Sequence, residues 1–165
     1  MTVTSRAIYR SERTCDTVER VGGGSLGCNA SAGALGVIHR IVLVEDNPAI
    51  CKLTTFLLRG AGHRVITART GEDGVAIILH DHPGLVLLDL RLPGIDGYEV
   101  LDRVRSNPDA KNTTVVAFTA IMMSGESARL VDAGFDACID KPIEPKRFLR
   151  EVEAILASPP VTAHA

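Results

Sequence analysis

The sequence predicts a doubly wound α/β fold, with five parallel strands alternating with five helices. Three observations carry this. Ile41–Val44 (IVLV), Leu85–Leu88 (LVLL) and Val115–Phe118 (VVAF) are short, continuous apolar runs. Continuous rather than alternating apolarity suits strands buried on both faces, as in a parallel sheet. Helical stretches with identifiable starts lie between the runs, and the β-α alternation repeats five times in about 117 residues. Strands joined at this spacing run parallel through right-handed crossovers, with helices on both faces.

Each element has a local cause. RVITA and ACI are the shorter strand candidates. Asn47 can cap the first helix, with Pro48 in its first turn, and Ile50, Leu53 and Leu57 are expected on its inward face. Thr70, followed by Glu72 and Asp73, opens the second helix. Val100, Leu101 and Val104 mark the third. Ser124 opens the fourth, and Gly134 stops it. Pro145 opens the fifth, with Phe148, Val152, Ile155 and Leu156 inward, and Ser158-Pro159-Pro160 ends it.

Bulk composition narrows the function classes. The chain has 165 residues, 45% hydrophobic and 23% charged, enough for one domain with a packed core. Its formal net charge of −2 gives no global basic field for nucleic acid. Cys15, Cys28, Cys51 and Cys138 form no CxxC pair, and scattered cysteines suit a reducing cytoplasm. No run of 18 apolar residues exists to span a membrane. Residues 1–39 are rich in Gly, Ser and Ala and are expected to be a flexible or disordered leader. Gly22, Gly24 and Gly27 match GxGxxG there, but no strand precedes them. Residues 40–157 are the expected domain, and 158–165 a short tail. His80-Asp81-His82 offers a metal reading, weaker than that of a favourable histidine at a helix C-terminus.

The polar residues at the strand ends carry the chemistry. Glu45-Asp46 follow the first strand, Asp89 the third, Thr119-Ala120 the fourth, and Asp140-Lys141-Pro142 the fifth. In a sheet of order 2-1-3-4-5, strands 1 and 3 are neighbours at the switch point, so Glu45, Asp46 and Asp89 should converge. Clustered carboxylates repel, and a hard cation such as Mg²⁺ resolves the conflict. A lysine and a hydroxyl beside them are parts that stabilise a transferring phosphoryl group. Asp89 stands alone after its strand and can act as a nucleophile that forms an aspartyl phosphate.

On these residues the chain resembles the receiver domains of two-component and phosphorelay response regulators, over about Arg40 to Ala157. The motifs are Glu45-Asp46 after IVLV, Asp89 after LVLL, then LPGIDG, Thr119-Ala120 after VVAF, and Lys141-Pro142 after ACID. The gaps are 43 residues from Asp46 to Asp89, 30 to Thr119 and 22 to Lys141. The stretch from Thr119 to Ile143 is most similar to single-domain regulators and hybrid-kinase receivers. The resemblance implies a flavodoxin-like (βα)5 sheet and a phosphoprotein switch rather than an enzyme, one that promotes its own phosphorylation and dephosphorylation. It implies that Asp89 accepts the phosphoryl group from a histidine kinase or histidine phosphotransfer protein. It implies that Glu45, Asp46, Asp89 and the backbone carbonyl of Arg91 hold Mg²⁺, and that Thr119 and Lys141 contact the phosphoryl oxygens. Only eight residues follow the fifth helix, so the expected output is a downstream protein target docked on the face of helix 4, strand 5 and helix 5. The chain departs from the family three residues before the lysine, where Cys138 replaces the usual aromatic. Met122 and Met123 in the loop after strand 4 are then expected to carry the change.

Three other readings stand beside this one. A haloacid-dehalogenase-type phosphatase would want a second acid two residues after Asp89, where Arg91 stands. A flavodoxin-like electron carrier would want a phosphate-cradling loop after the first strand, where EDNPAI offers carboxylates. A degenerate receiver serving only as an interaction module is countered by the intact set of five positions.

Overall fold

The computed structural model describes residues 37–120 and 126–158. Residues 1–36 with their GxGxxG match, residues 121–125 with Met122, Met123 and the expected helix start Ser124, and residues 159–165 lie outside the described residues. Five strands, β1 (Arg40–Val44), β2 (Arg64–Ala68), β3 (Leu85–Leu88), β4 (Thr114–Thr119) and β5 (Ala137–Asp140), form one parallel sheet in the order β2-β1-β3-β4-β5. The helices are α1 (Pro48–Gly60), α2 (Gly71–Asp81), α3 (Gly97–Arg105), α4 (Glu126–Asp132) and α5 (Pro145–Ala157). This is the doubly wound, flavodoxin-like arrangement that the sequence predicts.

The continuous apolar runs are buried on both faces because each face meets helices. Val42, Val44, Val86, Leu88, Val115 and Ala117 pack with residues of α2, α3 and α4. Ile41, Leu43, Leu85, Leu87, Val116 and Phe118 pack with residues of α1 and α5. Alternate residues of one strand thus feed opposite layers.

Local caps match the expected chemistry. The Asn47 side chain accepts from the amides of Ala49 and Ile50, and Thr70 Oγ1 accepts from Asp73 N at 3.2 Å. Asp96 caps α3 through Glu99 N at 2.9 Å. Gly134 sits at φ 101° after α4, where a side chain would be strained. His82 is the left-handed C-cap of α2, so the His80-Asp81-His82 stretch is a helix terminus.

The inward face of α1 differs from the expected one. Thr54 and Leu58 are the fully buried residues, whereas Leu53 is 40% exposed. Ile50 and Leu57 are half-buried beside the core. The i, i+4 row through Thr54 and Leu58 faces the sheet, and Leu53 sits a quarter-turn away from it. A threonine on the buried row and leucines off it mislead a pattern based on apolarity alone.

One polar clamp holds the sheet's lower end. Arg105, at the end of α3, donates to the carbonyls of Lys111, Thr113 and Gly134 and to Asp136 Oδ2 at 2.7 Å. Asp136 Oδ2 also accepts from Val115 N at 2.8 Å, and both side chains are largely buried. Removing one partner leaves a buried charge and a strand amide unsatisfied. Asp136→Ala is therefore expected to destabilise the domain by about 3 kcal/mol, or roughly 10 °C in melting temperature by circular dichroism. A loss of a degree or less would show that the clamp is replaceable by water.

Candidate phosphoacceptor site

The register of the sheet builds the site. Val44 pairs with Leu88, and Asp89 N donates to the Val44 carbonyl at 2.9 Å, which sets Glu45 beside Asp89. Thr119 pairs with Asp140, and Lys141 N donates to the Thr119 carbonyl at 2.9 Å. Glu45, Asp46, Asp89, Thr119 and Lys141 therefore all lie at the carboxyl edge of the sheet, around the β1/β3 switch point.

Lys141 ties the carboxylates together. Its Nζ donates to Glu45 Oε2 at 2.5 Å and to Asp89 Oδ2 at 2.6 Å. It reaches them from β5 by passing over the ring of Phe118, 4.7 Å from the centroid. A cation over an aromatic face is attracted by the ring quadrupole, so Phe118 steers the ammonium towards β1 and β3. The other carboxylate oxygens are held by backbone amides. Asp89 Oδ1 accepts from Arg91 N at 3.0 Å, and Glu45 Oε1 from Asn47 N at 3.0 Å.

Burial separates the three acids. Glu45 is 1% exposed and Asp89 8%, whereas Asp46 faces solvent. Thr119 is buried at the same edge. Among the described residues, Glu45, Asp46 and Asp89 form a group whose ligand atoms all lie within 4.8 Å of one another. An all-oxygen set with one open, solvent-facing member fits a hard divalent cation that keeps some of its water.

Two supports are not evident from the sequence motifs. Gly97 N donates to the Leu90 carbonyl at 3.1 Å, and a Cβ at Gly97 would lie 2.5 Å from the Asp89 carbonyl oxygen. The second glycine of LPGIDG is thus required by close approach to the Asp89 backbone. Glu72, on α2, accepts from Ile95 N at 3.3 Å and lies against Gly94, at φ 81°, which pins the β3–α3 loop. The "IDG" spacing gave a hint of the first; nothing in the sequence linked Glu72 to a loop 23 residues away.

Burial pushes the Glu45 carboxyl above its ordinary value of 4.5, more than the hydrogen bonds from Lys141 and Asn47 N–H pull it down, and Asp89 pushes the same way. The folded state therefore binds this proton more tightly than the unfolded chain. Its contribution to stability is present at low pH and is lost as pH rises through the raised value. Glu45→Gln removes the charge, while Lys141 keeps Asp89 as its partner. In metal-free buffer the variant should melt higher than the parent at pH 7, with the difference vanishing near pH 4. Thermal melts across that range would refute this if the parent were the more stable at neutral pH.

Comparison with known proteins agrees with this geometry. Residues 41–153 match the response regulator receiver domain family. The chain is 32% identical over 116 residues to the polar-differentiation response regulator DivK of Brucella ovis, covering 70% of this chain and 94% of that protein. A response regulator of Chloroflexus aurantiacus superposes with TM-score 0.69 at 32% identity, over 74% of this chain and all of that one. The receiver domain of a Pseudomonas aeruginosa sensor histidine kinase superposes with TM-score 0.68 at 27% identity, over 74% of this chain and all of that one; its structure holds a magnesium ion in the active-site cleft. Matched across most of its length and carrying the strand-end residues in one cluster, the chain belongs to the response regulator receiver domain family.

Proposed function

We propose that this chain is a phosphorylation-dependent signalling switch whose phosphoacceptor is Asp89, charged by the phosphohistidine of a histidine kinase or phosphotransfer protein. The observation that carries the proposal is the placement of the Asp89 carboxylate, held by Lys141 Nζ on one oxygen and Arg91 N on the other, beside Glu45 and Asp46. A carboxylate oxygen attacks phosphorus, the P–N bond to the donor imidazole breaks, and the imidazole leaves with the bonding pair. Asp46, Asp89 and Glu45, with the Arg91 carbonyl, are the proposed Mg²⁺ ligands, and the ion would neutralise charge on the phosphoryl oxygens.

The chain's own residues supply the rest. Lys141 lies within reach of charge that develops at Asp89, and its ammonium needs no large movement to follow it. Asp46 faces solvent at the mouth of the cluster, where a hydrated ion would enter. Arg91, two residues after Asp89, is exposed and provides no second acid, which weighs against the dehalogenase-type phosphatase reading. Residues 40–157 are the proposed functional unit, acting in the cytoplasm.

Intact mass spectrometry after incubation with acetyl phosphate tests the phosphoacceptor. The full chain with Mg²⁺ should gain the mass of one phosphoryl group, which Asp89→Asn and excess chelator should each abolish. Undiminished phosphorylation of Asp89→Asn would refute the assignment.

Readout is proposed to run from Thr119 through the following loop to the face of α4, β5 and α5. Cys138 is half-buried against the core on the α3 side, where the side chain is too small to swing far. In a phosphorylation-dependent partner-binding assay, Thr119→Ala should lose most of the dependence and Cys138→Ala little. Loss of the dependence in a folded Cys138→Ala protein would make the thiol part of the switch.

A further inference from the structure

We propose that His39 and His63, with Glu153 across a hollow at the amino edge of the sheet, form a binding site for a divalent transition-metal ion of the Zn²⁺ class. Strand register brings the two imidazoles together. Arg40 pairs with Arg64, and Arg64 N donates to the His39 carbonyl at 2.9 Å, so His39 and His63 are cross-strand neighbours just before β1 and β2. Side chains alternate along a strand, so both imidazoles fall on the face of Ile41 and Val65, towards α1 and α5.

The hollow on that face has a volume of about 540 Å³ and is lined by His39, Gly62, His63, Glu153 and Leu156, among others. The imidazole centroids stand 5.7 Å apart, with the rings tilted by 56°. Two imidazoles on one tetrahedral ion, with metal–nitrogen bonds of about 2.0 Å, have centroids roughly 5 Å apart. A small rotation of either ring closes the difference. His63 Nδ1 is buried and has no hydrogen-bond partner among the described residues. A buried nitrogen left without a partner is costly, and a bond to a metal satisfies it. Burial, and after it the neighbouring His39, push the His63 imidazole below its ordinary value of 6.5, against a smaller upward pull from Glu153. The ring is therefore neutral at pH 7, the form that ligates a metal. Glu153 forms no ion pair among the described residues and is exposed, so its carboxylate can turn inward as a third ligand. Two imidazoles, one carboxylate and a water make a four-coordinate set of the kind Zn²⁺ takes.

Other occupants fit less well. An anion would meet the Glu153 carboxylate, and an apolar ligand would leave His63 Nδ1 unpaired. A hard ion such as Mg²⁺ prefers all-oxygen sets. The carboxylate cluster supplies one at the opposite edge, roughly 20 Å away along β1. The two sites are thus separated by chemistry as well as by distance.

Calorimetric titration of the full chain with Zn²⁺, in an excess of Mg²⁺ that occupies the carboxylate cluster, tests the proposal alongside proton NMR of the histidine rings. One equivalent of Zn²⁺ should bind, and the ring resonances of His39 and His63 should shift together while those of His80 and His82 stay in place. His39→Ala and His63→Gln should each lower the affinity roughly tenfold or more, and Glu153→Gln by less. Phosphorylation by acetyl phosphate should be unchanged in all three variants, with circular dichroism verifying their fold. Should a histidine variant not fold, the ring resonances of the unaltered chain decide alone. Absence of Zn²⁺ binding, shifts confined to other histidines, or undiminished affinity in a folded His39→Ala or His63→Gln chain would overturn the proposal.

Discussion

The shared ammonium of Lys141 is the interaction on which the site depends. Two buried carboxylates at neighbouring strand ends would otherwise repel in a poorly solvated edge. Lys141 offsets that repulsion from β5, two strands away from β3, and Phe118 beneath its path sets its direction. The backbone amides of Asn47 and Arg91 take the remaining oxygens, so each buried acid is fixed at both ends. Burial still holds Glu45 above its ordinary value, so the ammonium and the amide do not fully offset the cost of burying its charge. A site with residual electrostatic demand is suited to admitting a cation or exchanging charge.

The sheet makes this arrangement geometrically cheap. Parallel order β2-β1-β3-β4-β5 brings the ends of β1 and β3 together at the one place where successive crossovers leave in opposite directions. Ile41–Val44 and Leu85–Leu88 are wholly apolar, and polarity begins at the first residue beyond Val44 and Leu88. The helices then fix the loops. Asp96 and Gly97 start α3 hard against the Asp89 backbone, and Glu72 from α2 holds the same loop from the other side.

Much of this was legible in the sequence, and the exceptions have a common cause. Apolar runs, caps and strand-end polar residues are local signals, and the elements and site residues they mark came together in space. What escaped was pairing across long separations: Lys141 with Glu45, Arg105 with Asp136, and Glu72 with Ile95. Sequence lists donors and acceptors but not which will meet. The inward face of α1 escaped for a different reason. This helix carries apolar residues on more than one face, so Leu53 was indistinguishable from a core residue until the sheet selected the row through Thr54 and Leu58. An excess of apolarity, more than a lack of it, defeated the pattern there.

The resting contacts also restrict how a switch at Asp89 could work. Both carboxylate oxygens are engaged, so modifying either must disturb a hydrogen bond. The partner of Oδ1 is a backbone amide in a loop held by Gly97 and Glu72, and it has little freedom to move. The partner of Oδ2 is the end of a four-carbon stem, able to follow new negative charge while the strands stay still. Rearrangement would therefore begin at Lys141 and be felt first by its neighbours, Glu45 just beyond β1 and the Thr119 end of β4. A state change transmits a signal only where the two states differ in contacts offered to a partner. Of those neighbours, Glu45 is anchored by Asn47 at the start of α1, whereas β4 leads directly out of the sheet towards α4. The path of least resistance runs along β4, which is why the hydroxyl at its end, rather than the small thiol on β5, is the residue expected to convert added charge into surface change.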